Sequence, residues 1–400
     1  MDPQTLSRPS GRPFLQVPGP TNVPERVLRA MDRAVPDHRG PEMPPLAEEI
    51  VTRLRPVFGS ESAEIVIYPG SGTAAWEASL TNTLNPGDRV LAFNIGHFSH
   101  LYANCARQLG LVVDELELPW GTGVPTTELR EALDADRDRS IKAVLVVHNE
   151  TSTGVTSPVA GVRDAMDEVG HPALLLVDAV SSLASIEFQF DAWGVDVALA
   201  ASQKGLMLPP GIGILAVSER ALAASRQATM PRYFLDWQPV IDQLRRGYFP
   251  YTPATLLLCG LREALRMLDE EGLNAVYARH ARLAGAVRSA VAEWELDLLC
   301  SDPAQYSNTA TAVVVPPGID ADRVLRIAED RFRLSLGAGL GKLKGDVFRL
   351  GHLGSLNELE VCATIAGAEL ALDAAGVPIR FGAGVRACQQ VFAEPIVPFS

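Results

Sequence analysis

No apolar run in this chain approaches the ~20 residues that a membrane-spanning helix needs. Basic residues are in short supply: 35 Lys and Arg stand against 48 Asp and Glu, a formal net charge of −13. That excludes the broad basic footprint required by nucleic acid or an anionic membrane surface, although a local pocket can still be basic. Cysteine is scarce too. Cys105, Cys259, Cys300, Cys362 and Cys388 are odd in number and never spaced as C-x-x-C, which argues against a disulfide framework and against a zinc site. A reducing compartment is the simpler expectation. There is no internal repeat and no long low-complexity tract. No G-x-G-x-x-G turn follows the first strand, which sets aside a dinucleotide oxidoreductase. The segment Met1–Pro13 is polar and Pro-rich without an apolar h-region. It is therefore not expected to be a secretory signal, and residues 1–14 are expected to form a disordered lead-in. The final Val397-Pro-Phe-Ser400 is not the peroxisomal S-K-L address. The expected location is the cytoplasm.

What the chain does have is alternation. Short apolar runs rich in β-branched residues recur at Glu64–Tyr68, Arg89–Phe93, Leu111–Leu116, Ala143–His148, Ala173–Asp178, Val195–Ala200 and Ile212–Val217. Several are apolar at nearly every position, so both faces of such a strand must be covered, as in a largely parallel sheet. Helical patterns lie between most of them: Gly72–Leu84, with Trp76, Leu80 and Leu84 on one face, then Ser99–Leu109 and Val162–Val169. This βαβα rhythm predicts an α/β domain with helices on both sides of the sheet. After about residue 260 the rhythm changes. A long helical stretch over Gly260–Arg288 precedes a strand (Thr309–Val315), a helix (Ala321–Phe332), a strand (Val347–Leu350) and a helix (Leu356–Ala374). The expected division is a large α/β domain over 15–260 and a smaller α+β domain over 261–400. Residues 226–253 lack clean periodicity and are expected to be an irregular connection. The charge run Asp134–Arg139 is expected to be a solvated loop or helix end.

In open α/β sheets ligands bind beyond the carboxyl ends of the strands. After the first run come Pro69-Gly-Ser-Gly-Thr73 and a helix. Free N–H groups at a helix start, glycines that allow close approach and the hydroxyls of Ser71 and Thr73 suit a phosphate, although Ser71 is equally an ordinary cap. Asp178 ends an apolar strand, where a carboxylate needs a cationic or hydrogen-bonding partner. A protonated pyridine nitrogen is one partner; a helix start is another. Lys204, in Ala201-Ser-Gln-Lys-Gly205, follows another buried strand, and desolvation there would free its amine as a nucleophile. A lone lysine could instead snorkel to the surface. Phe98 could stack on a flat heterocycle or belong to the core. Arg349 interrupts an apolar strand, where it could clamp a carboxylate or mark a sheet edge. Together these residues are the parts of a site for pyridoxal phosphate (PLP) amino-group chemistry.

The sequence resembles the class V, fold-type I PLP aminotransferases, and within them the serine–glyoxylate and alanine–glyoxylate branch. The resemblance runs through nearly the whole chain. Its motifs include Val17-Pro-Gly-Pro-Thr-Asn-Val-Pro24, Asp37-His-Arg39, Pro69-Gly-Ser-Gly-Thr73 and His148-Asn-Glu-Thr-Ser-Thr-Gly-Val155. The most specific are Val177-Asp-Ala-Val-Ser-Ser182 and Ser202-Gln-Lys-Gly-Leu-Met207. Tyr248-Phe-Pro-Tyr-Thr-Pro253, Leu336-Gly-Ala-Gly-Leu340 and Phe348-Arg-Leu-Gly-His-Leu-Gly354 complete them.

The resemblance implies a large, mostly parallel seven-stranded sheet domain with a smaller C-terminal domain. It implies that Lys204 carries PLP as a Schiff base and moves the substrate proton, and that Asp178 bonds the pyridine nitrogen. Phe98 would stack on the ring, where relatives often carry Trp, and Thr151 would reach the ring hydroxyl. Ser71, Gly72, Thr73 and Gln203 would surround the phosphate, and Ser202 would be a further cofactor-binding residue. Tyr251 and Thr252 would reach the cofactor of a neighbouring subunit, implying a homodimer with shared active sites or a higher oligomer built on it. Arg349 would hold the substrate carboxylate, and the loop carrying Gly19 and Thr21 would line the pocket. The implied reaction moves the amino group of a small amino acid, foremost L-serine, to glyoxylate by a ping-pong route. Alanine, aspartate and ureidoglycine are the other donors, and Tyr68, His97 and His352 are candidates for donor selection. A lyase or desulfurase of the same fold is the rival reading, but neither Cys259 nor Cys300 is placed for it. A PLP-dependent regulator would need an appended DNA-binding region, and none is found.

Overall fold

The computed structural model describes residues 12–395; most of the expected lead-in lies outside them. The strands in chain order are β1 (Phe14–Gln16), β2 (Glu64–Gly70), β3 (Arg89–Asn94), β4 (Val112–Glu117), β5 (Ile141–Val147), β6 (Asn149–Glu150), β7 (Val155–Thr156), β8 (Leu174–Asp178), β9 (Val197–Ala201), β10 (Gly211–Val217), β11 (Asp297–Leu298), β12 (Ala310–Val314), β13 (Leu334–Ala338) and β14 (Val347–Gly351). Seven form one sheet in the order β2-β10-β9-β8-β5-β3-β4. All run parallel except β10, which is antiparallel to both of its neighbours. These are the seven apolar runs of the sequence.

The double-sided burial predicted for them is visible residue by residue. In β5, Val144 and Val146 join the core on one face while Ala143 and Leu145 join the core on the other. In β8, Leu175 and Val177 face one way and Leu174 and Leu176 the other. Alternation with period two puts successive side chains on opposite faces, and here both faces are apolar because helices cover both.

The second sheet has the order β1-β13-β14-β12-β11. Its core gathers Leu283, Val287, Val313, Phe348, Leu350 and Ile365 from the sheet and the helices packed on it. Here the structure corrects the expected domain limits. β1 pairs in parallel with β13, so the first described strand belongs to the C-terminal sheet rather than to the large one. The boundary at 260/261 falls inside the helix Thr255–Glu271. The single long helix expected over Gly260–Arg288 is two helices, Thr255–Glu271 and Leu273–Glu293, broken at Gly272 with φ +82°, a conformation that costs glycine little.

The connection at 226–253 also contains a helix, Trp237–Leu244, capped by Asp236 and burying Trp237, Val240, Ile241 and Leu244. That i, i+3, i+4, i+7 spacing was present in the sequence but is only two turns long. In the charge run, Asp136 is no bystander: its carboxylate accepts from Ser140 Oγ and Ile141 N, and these bonds hold it well below the usual range against the opposing effect of burial. Among the described residues no helix is long and apolar enough to cross a membrane, and all five cysteines are free.

Candidate active site

Chain direction brings the carboxyl ends of β2, β3, β5, β8 and β9 to one side of the large sheet. Between them lies a cavity of about 220 Å³. β2 is an edge strand, yet the residues after it reach the centre because the helix Gly72–Thr83 crosses β10 and β9. Gly213 on β10 permits the crossing: a Cβ there would lie 2.8 Å from Ser71 O.

Lys204 and Asp178 both line the cavity. Lys204 Nζ donates to Pro18 O at 2.5 Å. Burial, with the Arg349 guanidinium adding to it and Asp178 opposing, pushes the amine down to about 8. The loop beneath the lysine is tied to it by backbone: Thr21 N donates to Gln203 O at 3.1 Å and Thr21 Oγ1 to Lys204 O at 3.2 Å. Asp178 is 4% exposed. Burial pushes its carboxyl up to about 6, against the hydrogen bonds from Val180 N and Trp76 Nε1.

Ser71, Gly72 and Thr73 lie at the start of the helix Gly72–Thr83 and line the cavity. Ser71 makes no side-chain cap, so its hydroxyl is not spent on the helix. Gln203 Oε1 is buried with no hydrogen-bond partner among the described residues. As placed this oxygen can only accept; turned about its last bond, the amide would offer Nε2 as a donor to a bound anion. Phe98 lines the wall, carried on the helix His97–Gln108. Thr151 also lines the cavity, and its Oγ1 donates to Ser181 Oγ at 2.7 Å.

Arg349 sits on β14, which lies in the middle of the second sheet and not at an edge. Its Nε donates to Ala338 O at 2.8 Å and its Nη1 to Thr151 O at 3.1 Å. Burial pushes the guanidinium down to about 10, and main-chain acceptors take up two of its N–H groups.

Other residues marked in the sequence lie elsewhere. Ser202 Oγ is turned into its own loop, donating to Pro209 O and accepting from Ile212 N, so it does not line the cavity. Tyr251 OH donates to Tyr233 O, and Thr252 is exposed; within one chain neither lines the cavity. Tyr68 is a core residue whose hydroxyl donates to Leu235 O. His352 is fully buried, with Nδ1 on Asn308 O and Nε2 on Thr311 Oγ1, and burial pushes it down to about 3. Neither is placed to select a donor. His97 is half-buried at the start of its helix, near Glu150 and Arg349.

Two further residues carry no local signal that marks them for the site. Trp76 faces the cavity and not only the core. Glu150, fully buried, accepts from Phe98 N, Ser99 N, Ser152 N and Ser152 Oγ. It thereby caps the helix that carries Phe98 from a strand more than fifty residues away, a relation that no local spacing reveals.

The family model for "Aminotransferase class-V" matches residues 14–340. This chain belongs to the class-V aminotransferases. It is similar to a serine–glyoxylate aminotransferase of Methylorubrum extorquens, with 49% identity across 97% of this chain and 98% of the relative. It is also similar to an L-aspartate–glyoxylate aminotransferase of Paracoccus denitrificans, with 42% identity across 94% and 96% of the two chains. Among solved structures, ureidoglycine–glyoxylate aminotransferase from Bacillus subtilis superposes with a TM-score of 0.89 at 28% identity, covering 98% of this chain and 100% of that one. The aminotransferase is a PLP-dependent transaminase of the fold-type I architecture. Its residues fit the cofactor: one cavity is lined by a helix start, the Gln203 amide with its orphaned Oε1, a buried carboxylate, a lysine of lowered basicity and a phenyl ring.

Proposed function

We propose that this enzyme transfers the amino group of L-serine to glyoxylate, giving hydroxypyruvate and glycine. The observation that carries the reading is Lys204: a buried amine of lowered basicity, facing the same cavity as Asp178, Phe98 and the Ser71–Thr73 turn. The choice of serine rests on the 49% identical relative of that name.

PLP, when bound, supplies an aldehyde for the amino group and a ring that withdraws electrons from the carbon being deprotonated. The chain's own residues do the rest. Lys204 would anchor the cofactor through its Nζ and, once released, that amine would take the proton from the substrate Cα and later give it back, serving as nucleophile and as general base and acid. Asp178 would pair with the ring nitrogen and keep it protonated, Phe98 would stack on the ring, and Thr151 would reach its hydroxyl. Ser71, Gly72, Thr73 and Gln203 would hold the phosphate. Arg349 binds the substrate carboxylate, and Gly19 and Thr21 keep the N-terminal loop against the site. Because donor and acceptor use the same groups in turn, the kinetics are ping-pong.

The enzyme works as a homodimer in which Tyr251 and Thr252 reach the partner's site. An aromatic group with exposed Tyr233 (82%) and Phe234 (42%), each in tilted contact with the half-buried Tyr251, supports a covered face there. Five free cysteines support a cytoplasmic location. The division into a large cofactor-binding domain and a smaller C-terminal one stands as part of this reading, with β1 moved to the smaller.

The test is a donor screen with glyoxylate as acceptor, following the visible absorbance of the bound cofactor. Serine is expected to bleach it and glyoxylate to restore it. Bleaching by aspartate, alanine or ureidoglycine, but not serine, would move the enzyme to another donor, and the Paracoccus relative makes aspartate the second reading.

A further inference from the structure

Apolar spacing assigns Trp76 to a helix face and leaves its indole N–H without a task. In the structure the side chain lines the cavity, and Nε1 donates a 2.7 Å hydrogen bond to Asp178 Oδ2. Asp178 Oδ1 accepts from Val180 N, also at 2.7 Å. A carboxylate held at one oxygen can still turn about its last bond; held at both, it cannot turn without losing one of them.

The indole is itself held. It stacks on Tyr102 with ring centroids 5.4 Å apart and 16° between the planes. Ser79 Oγ donates to Trp76 O and shares a 2.8 Å bond with Tyr102 OH. Ser79 has one hydroxyl proton, so Tyr102 is the donor of that second bond. Trp76 lies about one turn into the helix Gly72–Thr83. One helix therefore brings both its start and the indole that bonds Asp178 to the same cavity.

We propose that Trp76 is a positioning residue for the transamination: its indole N–H holds the Asp178 carboxylate ionised and oriented toward the ring nitrogen of PLP. This rests on the assignment of Asp178 to that nitrogen. An indole N–H can only donate, so it stabilises the carboxylate in preference to the neutral acid, and more strongly in a buried site than in water. Without it Asp178 is the stronger base, and the proton shared with the ring nitrogen moves toward the carboxylate. The other charged or titratable groups that act on Asp178 are Lys204, which favours its ionised form, and Glu150, which opposes it, with Tyr102 behind the indole.

The experiment reconstitutes native enzyme, Trp76→Phe and Asp178→Asn with PLP labelled with nitrogen-15 in the ring, and records the ring-nitrogen NMR shift beside kcat and KM. Trp76→Phe is expected to bind the cofactor and to move the shift toward the unprotonated value. Its kcat falls about tenfold or more, with the donor KM within about twofold. Reconstituted with a 1-deaza analogue, which has no ring nitrogen, native and variant enzymes should become equally slow. A native shift and native kcat in Trp76→Phe would overturn the inference, as would a rate loss undiminished with the deaza analogue. Should the variant not fold, native protein labelled at its five tryptophans provides the check: one indole N–H signal must move between PLP and the deaza analogue, and no movement refutes the inference. Asp178→Asn separates the two readings. If it keeps a protonated ring nitrogen, the assignment of Asp178 fails; if it alone loses the proton, only the role of Trp76 fails.

Discussion

Lys204 Nζ lies 2.5 Å from the carbonyl oxygen of Pro18, a residue 186 positions away. Two anchors make that contact. Thr21 pairs with the backbone of Gln203 and Lys204, and β1, just before Pro18, is paired to β13 of the second sheet. The reactive amine is thus seated between a strand end of the large sheet and a loop fixed to the small one, and the predictions below probe that seat.

Lys204→Ala should remove the bound-cofactor absorbance and lower transamination by at least about a thousandfold, since anchor and proton carrier are lost together. The fold should remain, because no core contact depends on Nζ. Absorbance and turnover on the purified variant decide it. Near-native turnover would contradict the central assignment.

Cofactor capture by cofactor-free enzyme should depend on pH through Lys204. The neutral amine is the nucleophile, and burial pushes its pKa down to about 8. The capture rate should therefore be flat above about 8 and fall about tenfold per pH unit below it. Arg349 lowers this pKa and Asp178 raises it, so Arg349→Gln should shift the midpoint up and Asp178→Asn should shift it down. Rapid-mixing absorbance measures both.

Gly19→Ala should damage the site from the loop side. Gly19 has φ +102°, and an added Cβ would run into the side chain of Lys204. The strained backbone costs about 1–3 kcal/mol, and moving the lysine should lower kcat/KM by about tenfold or more. A lowered kcat/KM with an intact visible band that is shifted in position is the expected pattern; unchanged kinetics would show that the loop yields without moving Lys204.

Glu150→Gln should cost about 1–3 kcal/mol of stability. The carboxylate accepts from three backbone amides and the Ser152 hydroxyl, and an amide can offer only one oxygen to them. The helix start carrying Phe98 should loosen. Denaturant midpoints together with circular dichroism of the bound cofactor test this; unchanged stability would mean that the donors find other partners.

Much of this was legible in advance. All seven strands of the large sheet announce themselves as short β-branched runs, and their strand-end residues Ser71, Asp178 and Lys204 could be marked because parallel sheets expose their carboxyl ends on one side. Local signals failed where the partner is remote or the element is short. The helix Trp237–Leu244 is two turns long and lost among Pro and aromatic residues, and β1 has three residues whose pairing partner is more than three hundred positions on. Tyr68 and His352 are candidates for donor selection by sequence, but each spends its polar atoms on core partners.

The sequence by itself determined the covered parallel sheet, through double-sided apolar strands, and the chemical inventory, through a lysine, a carboxylate and a Ser-Gly-Thr turn each placed after a strand. Only the tertiary structure decided which atoms meet. Strand order sets Asp178 beside the indole of Trp76, the helix crossing over Gly213 delivers Ser71 to the centre, and a loop held by the second sheet closes on Lys204. Patterning is a property of neighbours along the chain, whereas burial, and with it the displaced basicity of Lys204 and Asp178, belongs to neighbours in space.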